Sequence, residues 1–254
     1  MKYILFIIAL MQISMLLSAH EGCPREREFS IDLLASDQQR NIVLDVSRYQ
    51  GNIDFEQVAS SSQVRYVFAK ATESTSYIDP QFSRNIAAAR DAGIKVGAYH
   101  FFSDKSSAKA QATHFLNTIQ QQGLDLLPVI DVEVCRNYSP SALVDSLQVM
   151  LDCVEKAFGQ KPMIYSSVSF FRHYLQDYFE GYPLWLAKYD KEAPSNISTE
   201  YILWQFSDMG KIRGIDSPVD VSEFVGNHRP SEIELPNNNK KKSSKGRKNS
   251  LKNK

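Results

Sequence analysis

From residue 41 to residue 224 the chain repeats one beat: a short run rich in β-branched and aromatic residues, a turn, then a segment whose apolar positions recur every three or four residues. The runs, which predict strands, are NIVLDVS from Asn41, RYVFAKATES from Arg65, IKVGAYHFF from Ile94, LLPVIDVEV from Leu126, PMIYSS from Pro162, LWLAKY from Leu184, YILWQFSD from Tyr201 and a weaker one over 219–224. The helical segments are DFEQVAS from Asp54, DPQFSRNIAAARDAG from Asp79, SSAKAQATHFLNTIQQQG from Ser106, SPSALVDSLQVMLDCVEKAFG from Ser139 and a shorter SVSFFRHYLQDYF from Ser167. Several have Asp or Ser near their start and Gly just past their end, as helix caps require. Beyond the fifth, the strand-like runs lie close together with no room for full helices. Eight strands alternating with helices argue for an α/β fold, a parallel (β/α) barrel, and the small size argues that its last third is abbreviated.

Within this pattern the stretch LPVIDVEVC, 127–135, sets two carboxylates inside an apolar run. Side chains on a strand alternate between faces, so Val129, Asp131, Glu133 and Cys135 share one face and Ile130, Val132 and Val134 the other. If the apolar face meets the helices, both acids point to the barrel axis, late in their strand, at the C-terminal mouth where barrel enzymes place their chemistry. The first strand repeats the arrangement, with Ile42, Leu44 and Val46 outward and Val43, Asp45 and Ser47 inward. Three converging acids, mutually repelling and partly desolvated, give one that holds its proton near neutrality beside one that stays ionised, a pair suited to glycoside hydrolysis. The pattern alone also admits acids that are salt-bridged or capping. Tyr99, Tyr165, Trp185 and Trp204 fall in or near strand ends, where they serve either as core or as the walls of a sugar groove.

Charge changes the picture at the ends. The formal net charge is zero, but the tail NNNKKKSSKGRKNSLKNK holds eight of the 29 Lys and Arg and no acid, so that without it and Lys2 the body carries 20 bases against 29 acids. Such a tail lacks apolar residues to pack and is expected to be disordered, either a solubilising end or an electrostatic anchor to anionic wall polymers. No specific nucleic-acid binding is expected. Near the other end, YILFIIALMQISMLL after Lys2 is short for a bilayer span and precedes small residues. It reads as a secretory signal peptide, or else an uncleaved anchor, and implies export. The organisation expected is a signal peptide over 1–19, a linker over 20–40, a catalytic barrel over 41–230 and a basic tail over 237–254. One domain of ~200 residues, acting as a monomer, is the expectation.

Three cysteines make no disulfide framework. With Cys135 at a strand end and Cys153 about three turns along the next helix, roughly 18 Å from its start, the two are out of bonding reach, and free thiols are expected. The five histidines show no ligand spacing, so no metal site and no cofactor are expected.

In order and spacing, the motifs DVSRYQG (45–51), VFAKATES (67–74), GAYHFF (97–102), PVIDVE (128–133), MIYSS (163–167), LWLAKY (184–189), LWQFSD (203–208) and DVSEF (220–224) resemble the glycoside hydrolase family 25 muramidases. These are lysozymes that cut the β-1,4 bond between N-acetylmuramic acid and N-acetylglucosamine in peptidoglycan. The resemblance implies an irregular TIM-like barrel of about five βα units followed by three strands with shortened connections. It implies Glu133 as general acid, with Asp131 assisting and Asp45 beside them. Asp220 lines the same groove, with Tyr99, Tyr165, Trp185, Lys188 and Gln205 as further substrate-binding candidates. Ser74 departs from the pattern, since members often carry Gly there. Carboxylates at i and i+2 have Cα atoms roughly 6.5–7 Å apart, which leaves retaining and inverting routes open. The presumed substrate's 2-acetamido group favours a retaining, substrate-assisted route, with Asp131 orienting that group. A hydrolase of another N-acetylated amino-sugar polymer such as chitin, or a sugar-binding module without catalysis, are the alternatives.

Overall fold

A computed structural model describes residues 41–60 and 63–236; the signal-peptide, linker and basic-tail assignments lie outside the described residues. Among the described residues, nine strands run in the order β1 (Ile42–Val46), β2 (Val64–Glu73), β3 (Tyr77–Ile78), β4 (Lys95–Phe101), β5 (Val129–Asp131), β6 (Met163–Ser167), β7 (Leu184–Ala187), β8 (Leu203–Gly210) and β9 (Val219–Phe224). All but β3 form a closed ring, because β1 pairs with β9 on one side and β2 on the other. The helices α1 (Phe55–Ser60), α2 (Phe82–Asp91), α3 (Ala108–Ile119) and α4 (Pro140–Phe158) follow the first four ring strands. A fifth, one turn of α-helix (Val168–Phe170) running into a π-helical turn (Phe171–Leu175), follows β6. The sequence signals for α4 act as expected. Ser139 accepts from Ala142 N, Pro140 occupies the first turn, and Gly159 takes φ 68° at the C-terminal cap.

Strand alternation sorts the core into two layers. Ile42, Leu44, Val46, Ile130, Val132, Ile164 and Leu186 face the helices with Leu143, Leu147 and Leu151 of α4. Val43, Phe68, Val129, Met163, Trp185 and Leu203 fill the barrel interior. Inside the ring, Ile233 is fully buried, Leu127 N donates to Ile233 O, and Leu235 N donates to Asp125 O. The packed chain therefore continues past residue 230 and plugs the end opposite the mouth.

Two features differ from a simple reading of the strands. Strand β9 is antiparallel to both neighbours. Its connection from Gly210 to Val219 is too short for a parallel crossover, which takes about a dozen residues, so the chain turns back as a hairpin. Strand β5 ends at Asp131, so Glu133 and Cys135 lie in the loop beyond it. Cys135 accordingly packs with the outer layer rather than facing the axis, its Sγ 3.4 Å from Tyr138 O. Cys135 and Cys153 are both free thiols.

Candidate active site

At the mouth, a cavity of about 240 Å³ is walled by Asp45, Asp131, Glu133 and Asp220, with Lys70, Tyr99, Phe101, Val129, Tyr165, Trp185 and Tyr189. A larger recess of about 730 Å³ opens at the opposite end of the barrel. Its single imidazole, His228, is already held between Glu200 at 3.3 Å and Glu232 at 2.9 Å. Size does not decide between them; four carboxylates converge at the smaller cavity, Asp45 from β1, Asp131 from β5, Glu133 from the loop after it and Asp220 from β9.

Each acid reaches the mouth by its strand position. Asp45 is late in β1 and 9% exposed. Asp220 lies directly opposite in the β1–β9 register. Because β9 runs antiparallel, its first residues meet the last residues of the parallel strands, which brings an early β9 residue to the rim. Burial and then the charge of Asp220 push the Asp45 carboxyl well above the usual range, while Gln205 opposes the shift by donating from Nε2 to Asp45 Oδ2 at 2.9 Å. Asp220 is raised to about 6 by burial and then by Asp208. The two carboxyls titrate as a pair, with burial raising both.

Asp131 is 7% exposed, and its Oδ1 is buried with no hydrogen-bond partner in the protein. Burial and the neighbouring Glu133 raise its pKa well above the usual range. Glu133, beyond the strand end, is exposed at the rim, and partial desolvation raises it as well. Lys70 pulls both downward.

The other sequence candidates divide. Gln205 is fully enclosed and ties the wall together, accepting from Tyr165 OH at 2.8 Å and Tyr189 OH at 3.2 Å while donating to Asp45. Tyr99 and Tyr165 line the cavity half-buried; burial and the surrounding carboxylates keep both phenols protonated. Trp185 is 1% exposed and forms the floor, its Nε1 donating to Ser222 Oγ and its ring edge-on to Tyr165. Trp204 does not join them, since Leu203 and Gln205 take the inner face and Trp204 packs outward, donating to Lys188 O. The Lys188 side chain is directed to Asp190 at 2.6 Å and does not line the cavity. Lys70, Phe101 and Tyr189 do, and were not singled out from sequence. Inward alternation from Tyr66 through Phe68 to Lys70 was the available signal for Lys70. Ser74 takes φ 54°, the left-handed conformation in which glycine is at ease. Among the described residues, no three His, Cys, Asp or Glu side chains converge as a metal site requires.

Comparison with known proteins decides the family. Residues 44–215 match the family model described as glycosyl hydrolases family 25. The chain belongs to glycosyl hydrolase family 25. The uncharacterized protein YegX of Escherichia coli (strain K12) is 40% identical over 187 residues, covering 72% of this chain and 69% of that protein. An autolytic lysozyme of Clostridium acetobutylicum is 33% identical, covering 71% of this chain and 55% of that protein. The structure of a family 25 glycosyl hydrolase from Bacillus anthracis superposes with a TM-score of 0.67 at 29% identity, covering 73% of this chain and 89% of that one.

For a family 25 hydrolase, the chemistry available at this mouth is proton transfer and charge stabilisation by carboxyls. Glu133 is exposed to solvent at the rim. Beneath it, Asp131 offers a desolvated acceptor oxygen that no protein donor occupies.

Proposed function

We propose that this glycoside hydrolase is a lysozyme, cleaving the β-1,4 bond between N-acetylmuramic acid and N-acetylglucosamine in peptidoglycan. The observation that carries the reading is the pairing of an exposed Glu133, its carboxyl raised by partial desolvation, with the buried, unpartnered Oδ1 of Asp131 in one cavity. Family membership and the lysozyme name of the Clostridium relative support the substrate. Glu133 protonates the leaving oxygen. Asp131 Oδ1 accepts from the N–H of the substrate's 2-acetamido group, aligning its carbonyl to attack the anomeric carbon, and the ring oxazolinium that forms is opened by water with Glu133 now acting as base. Asp45 and Asp220 complete the acidic wall, and Tyr99, Tyr165 and Trp185 supply its apolar surface. Export through the N-terminal segment and attachment of the basic tail to anionic wall polymers belong to the same reading, with the enzyme acting as a monomer. Among the described residues, no helix is long and apolar enough to cross a membrane.

Mass spectrometry of fragments from defined peptidoglycan tests this. Reducing ends that are muramic acid, released with retained anomeric configuration, are expected. Glucosamine reducing ends, or turnover of chitin oligosaccharides alone, would assign another amino-sugar polymer, and binding without cleavage would reduce the protein to a sugar-binding module.

A further inference from the structure

On β2, Lys70 lies opposite Tyr99 and Thr72 opposite His100, so Ala71 is an extra residue in the ladder with β4. In a regular strand, residues three apart point to opposite faces. The bulge at Ala71 cancels that, returning Glu73 to the inner face with Lys70. The parity is visible on both sides of the sheet. Thr72 Oγ1 and His100 Nδ1 meet at 2.7 Å on the outer face, where His100 packs on Phe115. Phe101, the register partner of Glu73, lines the cavity.

The product of the bulge is an ion pair of 2.7 Å between Lys70 Nζ and Glu73 Oε2 at the cavity wall, with the two side chains 13% and 43% exposed. The ammonium sits 5.0 Å from the centre of the Phe101 ring and 5.6 Å from that of Tyr77. The next residue, Ser74, is held in its left-handed conformation by Ser74 N donating to Phe101 O and by contact of its Oγ with Ser106 Oγ. A serine at positive φ is disfavoured, so the bulge and the turn together maintain a local geometry the backbone would not choose unaided.

We propose that Glu73 is a positioning residue that fixes the Lys70 ammonium against the aromatic wall and sets how much of its positive charge reaches Asp131 and Glu133. Around the pair, Tyr77 faces in from β3 and Tyr99 from β4. The two carboxyls also meet Asp45 from β1, Tyr165 from β6, Tyr189 after β7 and Asp220 from β9, with Asp208 of β8 behind Asp220. Lys70 is the cation that lines the cavity with these groups, and Arg48 lies 6.0 Å from the centre of the Tyr77 ring. With Glu73 in place, part of the Lys70 field is offset: Glu73 raises Asp131 where Lys70 lowers it, and Lys70 still lowers both Asp131 and Glu133. Without Glu73, the field favours the ionised forms.

The inference rests on Glu133 as proton donor, and the pH dependence of kcat/KM for peptidoglycan reads it. The alkaline limb reports ionisation of that acid. Glu73→Gln is expected to move the limb to lower pH by about 0.5 unit or more, and Lys70→Met to move it to higher pH. In the Lys70→Met background, Glu73→Gln should move the limb by much less than in the native background. Lys70→Arg should restore the native profile. A purely structural pair would lower activity at all pH values without moving the limb. An unmoved limb in folded Glu73→Gln, or one displaced upward, overturns the proposal. Should that variant not fold, an unmoved limb in Lys70→Met overturns it equally. Carbon-13 titration of the Glu133 carboxyl in the same variants reads the shifts without turnover. Failure of the native enzyme to cut peptidoglycan therefore sinks the functional reading while the titration still judges the role of Glu73.

Discussion

Asp220→Asn should make the protein more stable above pH 6 while impairing it as an enzyme. In the folded state, Asp220 faces Asp45 across the β1–β9 seam with Asp208 nearby, and burial together with Asp208 raises its pKa from the ordinary 3.8 to about 6. A group whose folded pKa is raised favours the folded state fully below the unfolded value, and that contribution is lost as pH rises through the folded value. At pH 8, therefore, native Asp220 is ionised in both states, and its charge is worse solvated in the folded one. A shift of about 2 units corresponds to about 3 kcal/mol. Asp220 is partly exposed and shares its proton with Asp45, so ~1–2 kcal/mol is the expected gain on removing the charge. Asn preserves the shape and can donate its N–H to the Asp45 carboxylate, which then ionises without meeting a second negative charge. Urea unfolding at pH 8 should show the gain, equivalent to about 3–6 °C in Tm, and the gain should shrink toward zero at pH 4. Equal stabilisation at both pH values, or destabilisation at pH 8, would refute the electrostatic argument.

Glu133→Gln should lower kcat by about 10²–10⁴-fold or more while leaving thermal stability and sugar binding near native, as measured by turnover, melting and calorimetry. Asp131→Asn should be similarly damaging. Gln205→Leu leaves Tyr165, Tyr189 and buried Asp45 without their shared partner. A loss of about 2–4 kcal/mol in denaturant unfolding is expected, together with a drop in kcat. Truncation after Pro236 should preserve hydrolysis of a short soluble substrate. Truncation after Pro230 removes Ile233 from the barrel interior and should destabilise by about 2–5 kcal/mol.

The barrel was legible because its strands obey two constraints at once. Ile42, Leu44 and Val46 pack under helices while Val43 and Asp45 face inward, so a period of two with an acid on one face was enough to place Asp45. The same parity argument separates Trp185 from Trp204, the first inward and the second outward. The limits were local. Val132 and Val134 continue the β-branched alternation of β5 past its true end, and nothing in that composition marks Asp131 as the last paired residue. The bulge at Ala71 is likewise silent in sequence, since its cause is the competition between registers on two neighbouring strands. The reversal of β9 was implicit in the shortness of the 211–218 connection, but strand direction follows only when that length is set against what a crossover requires.

The seam between β1 and β9 also governs when the enzyme comes into being. Chains emerge from the ribosome with their N-terminal end first, and β1, among the earliest strands made, can pair with β2 soon afterwards. Its other edge stays open until β9 has been synthesised, and Asp45 meets neither Gln205 nor Asp220 before then. Closure joins segments almost the full length of the barrel apart, which places it among the slow, high-contact-order steps of folding. A nascent or prematurely terminated chain that lacks β9 thus carries Asp131 and Glu133 without the closed ring, and is expected to gain hydrolytic activity only with the last strand.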